Sequence, residues 1–141
     1  MRALLDTNVI LDFFLLREPF LDDADRIFEM VRKKQIQAFT TASSITDIYF
    51  IAAKRLGISS AREIVRDLLK IVKLIAVDYN DCATALDLPM SDFEDALIVT
   101  CASKEGVDVI VSNDKEFVQA GKNLAIVVSS QTFIDQMFNA V

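Results

Sequence analysis

Asp6-Thr7-Asn8 separates two apolar runs, Ala3-Leu4-Leu5 before it and Val9-Ile10-Leu11 after it. A carboxylate at a strand-to-helix junction, beside two small polar residues, is well placed to hold a metal ion. Open α/β sheets put their sites at that edge. The simpler use of Asp6 is to help cap the helix, a task Thr7 or Asn8 can also perform. Three more acids stand at comparable junctions: Asp47 after the Thr41–Ser44 break, Asp95 in the helix opened by Ser91, and Asp114 after Val107–Val111. In a parallel sheet, strand C-termini and the N-termini of the following helices share one edge, so these distant acids can meet. Clustered carboxylates resist joint ionisation unless cations neutralise them. An oxygen-only cluster suits hard ions such as Mg²⁺ or Mn²⁺, and the chemistry such ions support is hydrolysis of a phosphodiester.

Each acid also has a structural use. Ser91-Asp-Phe-Glu94 has the form of a capping box, which assigns Glu94 to structure. Ser44-Ile-Thr-Asp47 has nearly the same form, which leaves Asp47 open between capping and chemistry. Asp92 and Asp95 share a helix face. Asp12 reads as structural, and Glu116 and Asp78 as surface.

Composition narrows the field. The 141 residues are 52 % hydrophobic with only three Gly and two Pro, which predicts one compact domain. There is no histidine, so imidazole-based hydrolase mechanisms are excluded. Cys82 and Cys101 lack metal-ligand spacing and read as reduced structural thiols. No apolar stretch reaches the roughly 18 residues of a membrane span. The first residues do not form a signal peptide, and the expected location is the cytoplasm. Net charge is −6, which argues against a general nucleic-acid coat but not against a nucleic-acid substrate, because bound cations invert the local field.

The elements that must position the acids alternate. Strands are expected at Ala3–Leu5, 36–40, 74–77, 107–111 and 125–128, with helices between them. Such near-continuous apolar strands predict a parallel five-stranded sheet covered by helices on both faces, a three-layer α/β/α fold. Arg32-Lys33-Lys34 suits the negative end of a helix from Asp22 or Asp23; a contact to backbone phosphates is the less favoured reading. A short helix is expected from Asp81 to Leu86, and Ser129 is expected to cap the last one.

Four segments together resemble a known family. Leu4-Leu5-Asp6-Thr7-Asn8-Val9-Ile10-Leu11-Asp12 resembles the opening motif of PIN domains, particularly of ribonuclease toxins of VapC type. Ser44-Ile-Thr-Asp47-Ile-Tyr resembles their second motif, Asp92-Phe-Glu-Asp95-Ala-Leu the third, and Val111-Ser-Asn-Asp114-Lys-Glu-Phe117 the fourth. The likeness runs in order along essentially the whole chain. It implies a Mg²⁺- or Mn²⁺-dependent endoribonuclease whose acidic metal site carries over to Asp6, Asp47, Asp95 and Asp114, with Asn8 and Asp92 in support. It also implies products with a 5′-phosphate and a 3′-hydroxyl, a homodimer, and an inhibitory antitoxin. The family's toxins commonly have Glu at the second acid. Asp47 is one methylene shorter, which points to metal contact through water.

The alternative is a PIN-like module that binds RNA or a protein without cutting. A dehalogenase-type phosphoryl transferase would need an Asp where Asn8 stands. A phosphoacceptor receiver built on Asp78 would need a lysine near Ser129-Ser130.

Overall fold

The computed structural model describes residues 1–139. Its elements alternate: β1 (Arg2–Leu5), α1 (Thr7–Phe14), α2 (Leu21–Arg32), β2 (Gln37–Thr41), α3 (Ala42–Leu56), α4 (Ile58–Ile71), β3 (Lys73–Ile75), α5 (Tyr79–Leu86), α6 (Phe93–Glu105), β4 (Val109–Val111), α7 (Lys115–Gly121), β5 (Val127–Val128) and α8 (Ser130–Asn139). The sheet order is β3-β2-β1-β4-β5, and every pairing is parallel. The expected three-layer parallel α/β fold is the one observed.

This strand order creates the site. The chain leaves β1 toward β2 and β3, then crosses back to place β4 on the other side of β1. The strand order therefore reverses between β1 and β4, and a crevice opens outside their C-terminal ends. The pair is held in register at that point, where the Asp6 amide donates to the Val111 carbonyl at 3.0 Å.

Alternation along β1 divides the core. Ala3 and Leu5 face one hydrophobic layer with Val9, Ile10, Phe28, Ile48, Leu68 and Phe133. Leu4 faces the other, with Phe39, Ile98, Cys101 and Phe117. Neighbouring strand residues point to opposite faces, so α1–α4 and α8 cover one side and α6 and α7 the other. Helix α1 is clamped to α2 by aromatics, with the Phe13 and Phe28 rings stacked at 4.2 Å. Both cysteines are free, and burial pushes the Cys101 thiol up to about 11. Among the described residues, no helix is long and apolar enough to cross a membrane.

Several boundaries differ from expectation for local reasons. Helix α3 begins three residues before Ile45 because Thr41 is its cap, accepting from the Ser44 amide. Helix α5 begins at Tyr79, not Asp81. Asp78 and Asp81 form a reciprocal capping box there, so Asp78 is a cap and not plain surface. Strand β3 stops at Ile75 and β5 starts at Val127, which leaves Ala76, Val77, Ala125 and Ile126 outside the strands.

Candidate metal centre

Asp6 lies one residue beyond β1 and is 6 % exposed. It is itself the N-cap of α1, the structural use weighed for Asp6 in the sequence; Thr7 and Asn8, the other candidates, lie inside the helix. Its Oδ1 accepts from the Thr7 amide at 2.9 Å. Its Oδ2 accepts from the Ser112 hydroxyl at 2.7 Å and the Asn8 side-chain amide at 3.0 Å. Asn8 also donates to Ser112 Oγ and accepts from the Asn113 amide. The carboxylate is thus held from both sides of the β1–β4 crevice by neutral donors. Burial raises the Asp6 carboxyl above its usual range, against the lowering by these hydrogen bonds, and the charge of Asp114 raises it further.

Asp92 and Asp114 are N-caps as well. Asp92 Oδ1 accepts from the Asp95 amide at 3.0 Å and so opens α6. Asp114 Oδ1 accepts from the Glu116 amide at 3.0 Å and opens α7. A carboxylate has two oxygens. Each of these caps uses Oδ1, and among the described residues neither Oδ2 takes a hydrogen bond. Capping and chemistry are therefore not alternatives at these positions. Helix N-termini also favour anions through their dipoles, which helps hold several carboxylates at one edge.

The walls of one cleft of about 510 Å³ contain Asp6, Asn8, Asp47, Asp92, Asp95 and Asp114, every residue singled out for the site. Glu94 lines it too, which corrects its assignment to a capping box. The cap of α6 is Asp92 rather than Ser91, so Glu94 falls one position earlier in the helix and reaches the cleft beside Asp47. A hydrogen bond shared with Asp47, then burial, then the charges of Asp47, Asp92 and Asp6 push Glu94 up to about 7. Burial, followed by the charges of Asp92, Asp6, Asp114 and Glu116, pushes Asp95 up to about 7 as well. Glu116 does not line the cleft.

The cation on this wall, Arg17, is already committed. It pairs with Asp12 at 2.9 Å and donates to the Asn8 carbonyl at 3.1 Å. Asp12 is 2 % exposed, so its expected structural role is the observed one. Ser112, Asn113 and Arg17 escaped the sequence reading. Ser112 and Asn113 do stand inside the fourth acidic segment, directly before Asp114, which was the available signal.

The donor set is all oxygen and carries excess negative charge, which fits a hard divalent cation. Among the described residues, no three acidic side chains are already gathered tightly enough to cage an ion.

A parallel sheet with an acidic crevice at its switch point defines a class of α/β proteins with a carboxylate-lined site. The chain belongs to the PIN domain family, whose model matches residues 2–116. It is similar to Ribonuclease VapC1 of Aquifex aeolicus (strain VF5), with 26 % identity over 121 residues, 82 % of this chain and 83 % of that protein. Among solved structures it resembles Mycobacterium tuberculosis VapC20, described as a sarcin-ricin loop cleaving toxin. The TM-score is 0.69 at 17 % identity, covering 84 % of this chain and 95 % of that one. It also resembles a chain of a toxin-antitoxin complex from Klebsiella pneumoniae, with TM-score 0.67 at 18 % identity over 91 % and 97 % of the two chains. A third likeness is to VapBC2 from Rickettsia felis bound to a DNA fragment from its promoter, with TM-score 0.67 at 14 % identity over 92 % and 98 %.

Proposed function

We propose that this chain is a Mg²⁺- or Mn²⁺-dependent endoribonuclease and the toxin of a toxin-antitoxin pair, acting as a cytoplasmic homodimer. The observation that carries this reading is the gathering of Asp6, Asp47, Asp95 and Asp114 in one cleft with no uncommitted cation among the described lining residues. Membership of the PIN domain family and likeness to a VapC ribonuclease support it. Likeness to chains solved in toxin-antitoxin complexes supports the antitoxin partner. Exposed Phe50, Leu56 and Ile58 on α3 and α4 offer apolar surface for that partner or for a second copy.

In this reading Asp6, Asp95 and Asp114 are the main direct or water-mediated ligands, and Asp47 completes the set. A bound ion would lower the pKa of a water and offset charge on the phosphoryl group. The chain's own residues supply position. Ser112 and Asn8 fix the Asp6 carboxylate, and the caps of α6 and α7 fix Asp92 and Asp114. The water oxygen bonds to phosphorus as the bond from phosphorus to the 3′-oxygen breaks, leaving a 5′-phosphate and a 3′-hydroxyl.

A second reading, an RNA- or protein-binding PIN module that does not cut, is favoured by the looseness of the acid cluster before an ion enters. Incubating the protein and its Asp6→Asn variant with structured RNAs, in Mn²⁺ or in EDTA, separates the two. Metal-dependent cleavage lost in the variant supports the nuclease. Metal-independent RNA binding without cleavage supports the module.

A further inference from the structure

The acidic cleft leaves an electrostatic problem. An RNA is a polyanion, the chain has net charge −6, and the cleft walls add no uncommitted cation among the described residues. Nucleic-acid affinity comes largely from cations that neutralise phosphates, so the chain needs a cationic surface elsewhere.

A groove of about 740 Å³ at the opposite, N-terminal edge of the sheet supplies one. Arg2, Arg32, Lys34, Lys70 and Lys73 line it, and no carboxylate does. These five side chains come from β1, α2, the turn before β2, α4 and β3, so tertiary packing assembles the patch. The Arg32-Lys33-Lys34 run at the end of α2 is therefore part of something larger than a solvated helix end. Two of the cations are held by acids on their own helices. Arg32 pairs with Glu29 at 2.5 Å and Lys70 with Asp67 at 3.9 Å, and such exposed pairs are weak. Arg2 pairs with the Glu105 carboxylate at 3.5 Å and is fixed by the Glu105 and Gly106 carbonyls and by the Phe39 ring. Lys34 and Lys73 are exposed and form no ion pair among the described residues.

We infer that this groove is a second RNA-binding site, where Lys34 and Lys73 contact backbone phosphates of the same RNA that enters the acidic cleft. The inference rests on the nuclease reading for the identity of the polyanion. Four residue steps along the buried strand β1 separate Arg2 from Asp6, about 13 Å at 3.3 Å per residue, so an RNA that wraps around the sheet edge can meet both sites. Contacts to phosphate carry no base specificity, so the groove would add affinity and register rather than choice of sequence.

The test is binding of a fluorescein-labelled RNA hairpin to the full chain in EDTA, by anisotropy, across a salt series. Each phosphate contact contributes about 0.7–0.9 to the slope of log K against log salt. Lys34→Gln/Lys73→Gln should therefore reduce that slope by about 1.4–1.8, and weaken binding roughly 25- to 60-fold at 0.1 M salt. Lys54→Gln/Lys122→Gln removes the same charge outside the groove and should leave the slope unchanged. An equal slope in wild type and the groove variant, with equal melting temperatures, overturns the inference. Cleavage is measured separately with Mn²⁺. Groove-dependent binding without cleavage would sink only the nuclease reading, and cleavage with an unaltered slope would sink only the groove.

Discussion

Asp6 and Asp81 are both nearly covered, 6 % and 4 % exposed, and both belong to helix caps, yet their carboxyls shift in opposite directions, because Asp6 is desolvated far more and Asp81 has a cation. Asp81 accepts from the Lys104 ammonium at 2.6 Å and from the Asp78 amide at 3.0 Å, and these hold it below its usual range. The same contact raises Lys104. Asp6 has only neutral donors and a second carboxylate nearby, so burial dominates and its pKa rises. Asp12, buried against Arg17, likewise has a cation of its own chain beside it. The buried acids outside the cleft, Asp12 and Asp81, carry their cations in the chain. Asp6, Glu94 and Asp95 do not, and their carboxyls are raised.

The largest effect expected from this contrast is on catalysis. Asp6→Asn should cut RNA hydrolysis by at least about 10²–10³-fold, the scale of losing one preorganised electrostatic group. Circular dichroism should show the fold intact. Wild-type rates in this variant would break the comparison. The largest loss of stability should fall on the other side. Lys104→Met should strand Asp81 and lower the melting temperature at pH 7 while cleavage is unchanged. Because the Asp81 pKa is depressed, its contribution is present above the unfolded value near 3.8 and is lost as pH falls through the lower folded value. The variant's deficit should therefore shrink in strong acid. A constant deficit would mean that Lys104 stabilises by packing alone.

Ser112→Ala removes a buried donor to the Asp6 carboxylate and should cost about 1.5–3 kcal/mol in denaturant unfolding. A subtler effect concerns pH. Glu94 and Asp95 are raised to about 7, so their contribution is fully present below the unfolded values and is lost as pH rises through about 7. The ion-free protein should become less stable as pH climbs from about 4 to 7 over that window. Asp95→Asn should flatten this trend, and Mn²⁺ should reverse it. Smallest of all, Glu116→Gln, outside the cleft, should change stability by less than about 0.5 kcal/mol; a large loss of cleavage would bring Glu116 into the site.

The strands and the gathering of Asp6, Asp47, Asp95 and Asp114 were legible because apolar runs broken by acids are local patterns, and a parallel sheet brings their ends to one edge. Capping was harder. Asp6, Thr7 and Asn8 were all candidates for the cap that Asp6 forms, and Asp92 replaced Ser91, since a cap depends on where the backbone leaves helical geometry, to within a residue. That one-residue shift hid Glu94. The Ser112–Asn113 network joins residues more than a hundred positions from Asn8 and Asp12, and no local spacing encodes it. Nor does any local signal pair Asp81 with Lys104.

The measurement that bears most directly on the contrast between paired and unpaired acids is calorimetric titration of Mn²⁺ near pH 6.5, in buffers of different ionisation enthalpy. Saturable binding accompanied by proton release is expected, because Glu94 and Asp95 are partly protonated there, with binding lost in Asp6→Asn and kept in Lys104→Met. Absence of binding, or equal binding in Asp6→Asn, would mean that the unpaired acids hold no ion.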